Sequence, residues 1–375
     1  MIGIARNLLT ILVSAGAVLP MAGAAAVASK PGAVFVMTNA AGKNEIVTFQ
    51  RTADGHLFDG SRYETGGRGS GGLVDPLQSQ GSLTLSQDHS MLFAVNSGSG
   101  TLSVFSVKKA TLSLVEKVPT GGSAPVAVAQ FQNLVFVLNT GGSGSVVSFR
   151  LDPSGLKKIA HSTVFLTSSN AAGASLAVSP DGQFLLVSER LGNNIDAFRI
   201  QADGTLAPVV VTPSVGAGAF SVIFAPNGTA IVSETGPAGT TNESAVSSYS
   251  LMSNGMLSPI SKSVPTLGTA NCWNVITPDG KFVYVSNSAS ATVAGFAIGQ
   301  GGNLTPIAGT VVGTNPAGSA NLDIAASDDG KYLFTLNAGT GNISIFGIQQ
   351  DGALTNLGDA GDLPKASGFN GIAAF

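Results

Sequence analysis

The stretch that decides the fold is Thr277-Pro-Asp-Gly-Lys-Phe-Val-Tyr-Val-Ser-Asn287. Pro-Asp-Gly is turn chemistry, because glycine supplies the positive φ that a tight antiparallel connection needs. The apolar run behind it is the right length for a strand. The same signature stands at Ser179-Pro-Asp-Gly-Gln-Phe-Leu-Leu-Val-Ser-Glu189 and Ser327-Asp-Asp-Gly-Lys-Tyr-Leu-Phe-Thr-Leu-Asn337. Weaker copies occupy residues 225–234, 86–96 and 129–139, and residues 34–39 supply the second half of one more. The copies end at Asn39, Asn96, Asn139, Glu189, Glu234, Asn287 and Asn337, recurring about every 50 residues. A period of that length with several short strands per unit is the arithmetic of a β-propeller.

Within residues 273–313 the pattern predicts four strands, at 274–277, 282–286, 292–298 and 304–312. Asp-Gly or Asn-Gly turns follow the first strand (Asp181-Gly182, Asn227-Gly228, Asp279-Gly280, Asp329-Gly330) and the third (Asp54-Gly55, Asp203-Gly204, Asn254-Gly255, Asp351-Gly352). Both sets fall on one face of an up-and-down blade, so the longer connections share the other, where function is expected. No first strand fits before Val34, while Gly371-Ile-Ala-Ala-Phe375 has a first-strand pattern. The fold expected is therefore all-β, a seven-bladed propeller of four-stranded antiparallel blades whose ring is closed by the C-terminal strand.

Composition fits this reading and removes others. Of 375 residues, 49 are Gly and 17 are Pro, as many turns require. Hydrophobic residues make up 44%, enough for a large core. A net charge of -3 leaves no footprint for nucleic acid. The single cysteine excludes an intramolecular disulfide and multi-cysteine zinc sites. Arg6 precedes an apolar run over residues 8–19, and Ala26-Val27-Ala28 is a small-residue cleavage signal. Residues 1–28 therefore read as a secretory signal peptide and 29–375 as one propeller domain, secreted or periplasmic and free of the membrane after cleavage.

With these repeats the chain resembles the secreted branch of the seven-bladed β-propeller lactonase family, which includes 6-phosphogluconolactonase-like and carboxymuconate-cyclase-like proteins. The resemblance covers the mature chain. Its carriers are the Ser/Thr-Pro-Asp-Gly units, the Asp-Gly-x-Leu hairpins, the glycine-rich stretch 66–82 and Asn271-Cys-Trp-Asn-Val-Ile-Thr-Pro-Asp-Gly280. It implies hydrolysis or formation of a cyclic ester, carried by acidic, His and Arg side chains at one channel mouth.

Two rings of positions follow from the alignment. The second-strand ends form a collar in which Asn96, Asn139, Asn287 and Asn337 either cap turns or bind substrate. Glu189 and Glu234 break that pattern as candidate catalytic carboxylates, since two nearby acids can split into base and acid. In the first-strand ring, Trp273 is a stacking platform or a tunnel plug, and Asp323 is a site acid or a structural acceptor. Arg190 and Arg68 are candidates to orient an anionic substrate. His56 and His89 fall on the tight-turn face and His161 in an outer strand, which disfavours a histidine base. Cys272 lacks a histidine to activate it. The reading is a monomeric lactonase-like hydrolase using carboxylate-activated water on a small-molecule substrate, with no cofactor. Alternatives are a non-catalytic propeller binding a small ligand or protein partner, and a variant using Ca²⁺ held by the Glu and Asn oxygens at the channel mouth.

Overall fold

The structure is a computed structural model that describes residues 30–168 and 170–375. The expected signal peptide at 1–28 lies outside the described residues. The described chain forms seven antiparallel sheets arranged as blades, with no α-helix. Blade 1 holds the closing strand Ile372–Ala374 beside Gly32–Met37, Glu45–Arg51 and Leu57–Glu64. The innermost strands of blades 2 to 7 are Leu83–Leu85, Pro125–Phe131, Gly173–Val178, Ala219–Phe224, Asn271–Ile276 and Asn321–Ala326.

Second strands such as Phe184–Glu189, Thr229–Glu234 and Tyr332–Asn337 are buried at every position. A blade is covered on both faces by its neighbours, so these strands read as continuous apolar runs rather than as an alternation. Burying them between blades is the main source of stability.

Closure occurs where the sequence places it. Val34, Phe35 and Val36 pair with Ala374, Ala373 and Ile372. The Ala33 amide donates to the Phe375 carbonyl at 3.1 Å, and the Phe375 amide donates back to Ala33 at 3.0 Å. The seam between blades 7 and 1 is tied further by Arg51, which is buried, lies 3.5 Å from Asp329 and sits over the Tyr332 ring.

The inner strands depart from the simple repeat at their starts. In blades 3 to 7 the register against the second strand shifts in the first few residues, for example between Asn271 and Trp273 and between Asn321 and Ile324. Such bulges re-aim side chains and bend the strand. Here they lie at the variable-loop end of the channel.

Candidate functional site

The collar residues are sealed. Asn96, Asn139, Glu189, Asn287 and Asn337 are fully buried and Glu234 nearly so. The chain crossing from one blade into the next lies close over all of them but Asn337. A Cβ on Gly67 would fall 2.3 Å from the Asn96 side chain, one on Gly122 2.6 Å from Asn139, one on Gly268 2.4 Å from Asn287, and one on Gly216 2.0 Å from Glu234. Only glycine lets backbone approach a side chain this closely.

Several of their polar atoms are spent on structure, while both Asn139 side-chain atoms and the Oδ1 of Asn287 and Asn337 are buried without a partner. Asn96 Oδ1 accepts from Asn44 Nδ2 at 3.0 Å and Thr65 Oγ1 at 2.6 Å, and its Nδ2 donates to Ser103 Oγ at 2.8 Å. Asn337 Nδ2 donates to Ser344 Oγ at 2.7 Å, and Asn287 Nδ2 to Thr292 Oγ1 at 3.2 Å. Glu234 accepts from the Gly216 amide at 2.9 Å, Ser247 Oγ at 2.5 Å and Ser263 Oγ at 2.7 Å. The expectation of a polar collar open at the mouth meets a different geometry. Glu189 and Glu234 are held under crossing backbone rather than presented to water, Asn96, Asn139 and Asn287 are held likewise, and Asn337 is buried as well.

Glu189 has a second feature. Its Oε1 accepts from the Thr167 amide and hydroxyl, at 2.7 and 2.8 Å, while Oε2 is buried without a donor. Beside it Asp196, on the third strand Asn194–Arg199, also has a buried oxygen without a donor. Burial first, then the Glu189 charge, raise the Asp196 pKa. Blades 2, 5 and 7 carry Ser103, Ser247 and Ser344 at the matching register position. In blade 5 that serine, Ser247, donates to the collar carboxylate of Glu234, and in blades 2 and 7 it accepts from the collar Asn; blade 4 instead sets a second acid, Asp196, beside its collar carboxylate.

The channel axis holds the groups that remain open to chemistry. Residues 75–80, the end of the long loop between blades 1 and 2, cross the variable-loop mouth and plug it. Ser79 Oγ donates to Val126 O at 2.9 Å, the Gln80 amide donates to Ala174 O at 2.9 Å, and Gln80 Nε2 donates to Asn274 O at 2.7 Å. Trp273 Nε1 donates to Ser79 O at 2.9 Å. Trp273 is 1% exposed, and its ring meets Phe220 edge-on at 5.2 Å. Of its two expected roles, it has that of a plug.

Above the plug Asp75 is partly buried. Its Oδ1 accepts from the Gln78 amide at 3.0 Å and Asn370 Nδ2 at 3.3 Å. Burial raises its pKa to about 8, against the Gln78 amide and the Arg190 charge, with a smaller upward push from Asp323. Arg190 donates to Gln78 Oε1. Burial also pushes the Cys272 thiol up, which removes it as a thiolate nucleophile at neutral pH. Arg68 is exposed, and its recorded hydrogen bonds are through its backbone, to Ser99 Oγ and from Gly98 N.

Below the plug, a cavity of about 250 Å³ occupies the turn-ward half of the channel. The ends of the inner strands line it, with Gln80 and Asp323 among its few polar groups. Asp323 is 2% exposed and accepts from the Ile324 amide at 3.0 Å and the Ile372 amide at 3.3 Å. Burial lifts its pKa to about 7, with the two amides pulling the other way. The charges of Arg190 and Asp323 both act on Asp75 across the plug, the first lowering its pKa and the second raising it, and no direct contact joins the three. Among the described residues no group of three or more His, Cys, Asp or Glu side chains is placed to hold a metal ion. Sequence reasoning missed Asp75 and Asp196. In a chain only 10% charged, the lone acid of the non-repetitive loop 64–82 past Glu64 was the available signal for Asp75.

Comparison with known proteins decides the family. The chain matches the family described as lactonase, 7-bladed beta-propeller, over residues 143–272 and 274–369. It belongs to the seven-bladed β-propeller lactonase family. Solved structures share the fold at low identity. A putative 6-phosphogluconolactonase from Bacteroides uniformis is 21% identical, covers 92% of this chain and 99% of its own, and superposes with a TM-score of 0.67. The periplasmic gluconolactonase of Pseudomonas aeruginosa is 19% identical, covering 91% and 99%, with a TM-score of 0.68. A protein from Lactobacillus plantarum reaches 0.70 at 17% identity, covering 92% and 99%. Curated protein sequences gave no match.

Proposed function

We propose that the protein hydrolyses a small cyclic ester at the channel axis, with Asp323 as the base that activates water. The observation that carries this is a single carboxylate at the roof of the channel cavity, buried yet poised near pH 7. A base of that strength exists in both forms at neutral pH, which suits one group to two proton transfers.

The steps balance without a further reagent. Asp323 takes a proton from water as its oxygen attacks the ester carbon. The tetrahedral intermediate collapses, the ring C–O bond breaks, and the Asp323 proton passes to the leaving alkoxide. The product is the open hydroxy acid. Gln80 Nε2 makes one recorded hydrogen bond, to Asn274 O, and its second N–H is available to the carbonyl oxygen. Asp75, protonated at neutral pH, and Arg190 secure the plug from above. In this account Glu189 and Glu234 shape the scaffold and do not touch substrate.

A second reading has its own observation. Two backbone amides already bond to Asp323, as they would to a purely structural acceptor in a propeller that binds a ligand without chemistry. A lactone panel assayed with the wild type and Asp323→Asn separates the two, since a binding protein turns over none of them. Export follows the same reading of the sequence, with the N-terminal segment removed on secretion.

A further inference from the structure

We infer that the substrate reaches Asp323 from the tight-turn face and is a compact, uncharged, largely aliphatic lactone rather than a phosphorylated or sugar lactone. This rests on the hydrolytic reading above and narrows it. The variable-loop mouth is closed by residues 75–80 and Trp273. The cavity holding Asp323 is bounded by the turn-ward ends of the inner strands, Leu83 to Leu85, Ile324 to Ala326 and Ile372 to Ala374. Its free side is therefore the face of the Asp-Gly turns.

The walls decide the chemistry. Leu83, Leu85, Val275, Ile324 and Ile372 are aliphatic, and no Arg, Lys or aromatic residue lines the cavity. A sugar ring would find no stacking surface and few hydroxyl partners. Thr84 Oγ1 already bonds to Val128 O at 3.0 Å, and Gln80 Oε1 accepts from the Asn274 amide at 3.0 Å. A phosphate or carboxylate entering here would meet Asp323 with no cation to compensate, and burying an unpaired charge is costly.

The rim repeats the message. The turns joining inner to second strands carry Asp88, Asp181, Asp279, Asp328 and Asp329, against Lys281 and Lys331. The Ser86 and Ser90 hydroxyls hold Asp88 down at about 2. Ser179 helps hold Asp181 low, and Thr277 and Lys281 do so for Asp279 against the upward push of burial. Lys281 is paired with Asp279 at 3.0 Å and the buried Arg51 lies 3.5 Å from Asp329, so the five acids face three cations. The access route is thus anionic and repels anions.

The test compares kcat/KM of the full mature chain on δ-hexanolactone, glucono-δ-lactone and its 6-phosphate. The order expected is that order, with the phosphorylated lactone at least about 100-fold below the alkyl lactone. Preference for the phosphorylated or sugar lactone overturns the inference while leaving hydrolysis intact. Turnover of none removes the hydrolytic reading itself and the inference with it. Asp328→Lys, an exposed rim change, supplies a second measurement. It is expected to raise kcat/KM for the anionic lactone several-fold at low salt and leave the neutral one unchanged. Equal effects on both contradict access across this face.

Discussion

Removing the last strand, residues 371–375, tests how the ring is held. The deletion takes away three paired positions and the hydrogen bonds between Ala33 and Phe375 and from Met37 N to Gly371 O. Three such bonds contribute about 3 kcal/mol, at ~1 kcal/mol net each. Ile372 is 4% exposed, and its side chain adds roughly 2 kcal/mol. Phe375 lies 6.0 Å from Phe35 and stacks on His89 at 5.4 Å, which adds about 1 kcal/mol. The sum, about 6 kcal/mol, rivals the whole stability of an ordinary domain, about 5–15 kcal/mol. It also exposes the edge of Gly32–Met37, which invites aggregation. Melting followed by circular dichroism on the intact and shortened chains is expected to show a fall of at least about 10 °C, taking ~2 °C per kcal/mol for a large domain. Phe375→Ala is expected to lower the melt by only about 2–3 °C by the same conversion. A fall under about 3 °C on deletion would refute the closure argument.

Other outcomes follow from the collar and the buried acids. Gly216→Ala places a methyl on the Glu234 carboxylate at ordinary φ and is expected to cost about 2 kcal/mol by overpacking, more than the isosteric Glu234→Gln, by chemical denaturation. Burial first, then the Glu189 charge, raise the Asp196 pKa on folding, so its proton stabilises fully below about pH 4, and that contribution is lost as pH rises to the folded value of about 8. Asp196→Asn is therefore expected to flatten the fall in melting temperature between about pH 4 and 8, and an unchanged slope would deny that Asp196 keeps its proton on folding. Mass spectrometry of exported protein is expected to find the mature chain beginning at Ser29.

The repeat carried most of the fold into the sequence, because Asp-Gly turns and strand-length apolar runs are local signals. The third strand of blade 6 lies at Thr292–Ile298, as its pattern indicates, yet the inner strand begins at Asn271, three residues early. The bulge between Asn271 and Trp273 explains that shift, and no side-chain alternation announces a bulge. The site was less legible for a similar reason. Glu189 and Glu234 are conspicuous by type, but the segments over them come from the preceding connection, marked by Gly216 over Glu234 and by nothing more than Thr167 over Glu189. The plug depends on contacts such as Gln80 with Asn274, 194 residues apart, which no local pattern encodes. Asp323 was visible because it interrupts an apolar strand. Its placement at the roof of a cavity was not.

The most direct test of the account is the pH dependence of kcat/KM on a neutral lactone for the wild type and Asp323→Asn, each checked for an unchanged melt. The account predicts a wild-type rise with an apparent pKa near 7, set by ionisation of the base, and a loss of at least about 100-fold in the variant. A folded Asp323→Asn protein that retains wild-type turnover would contradict it.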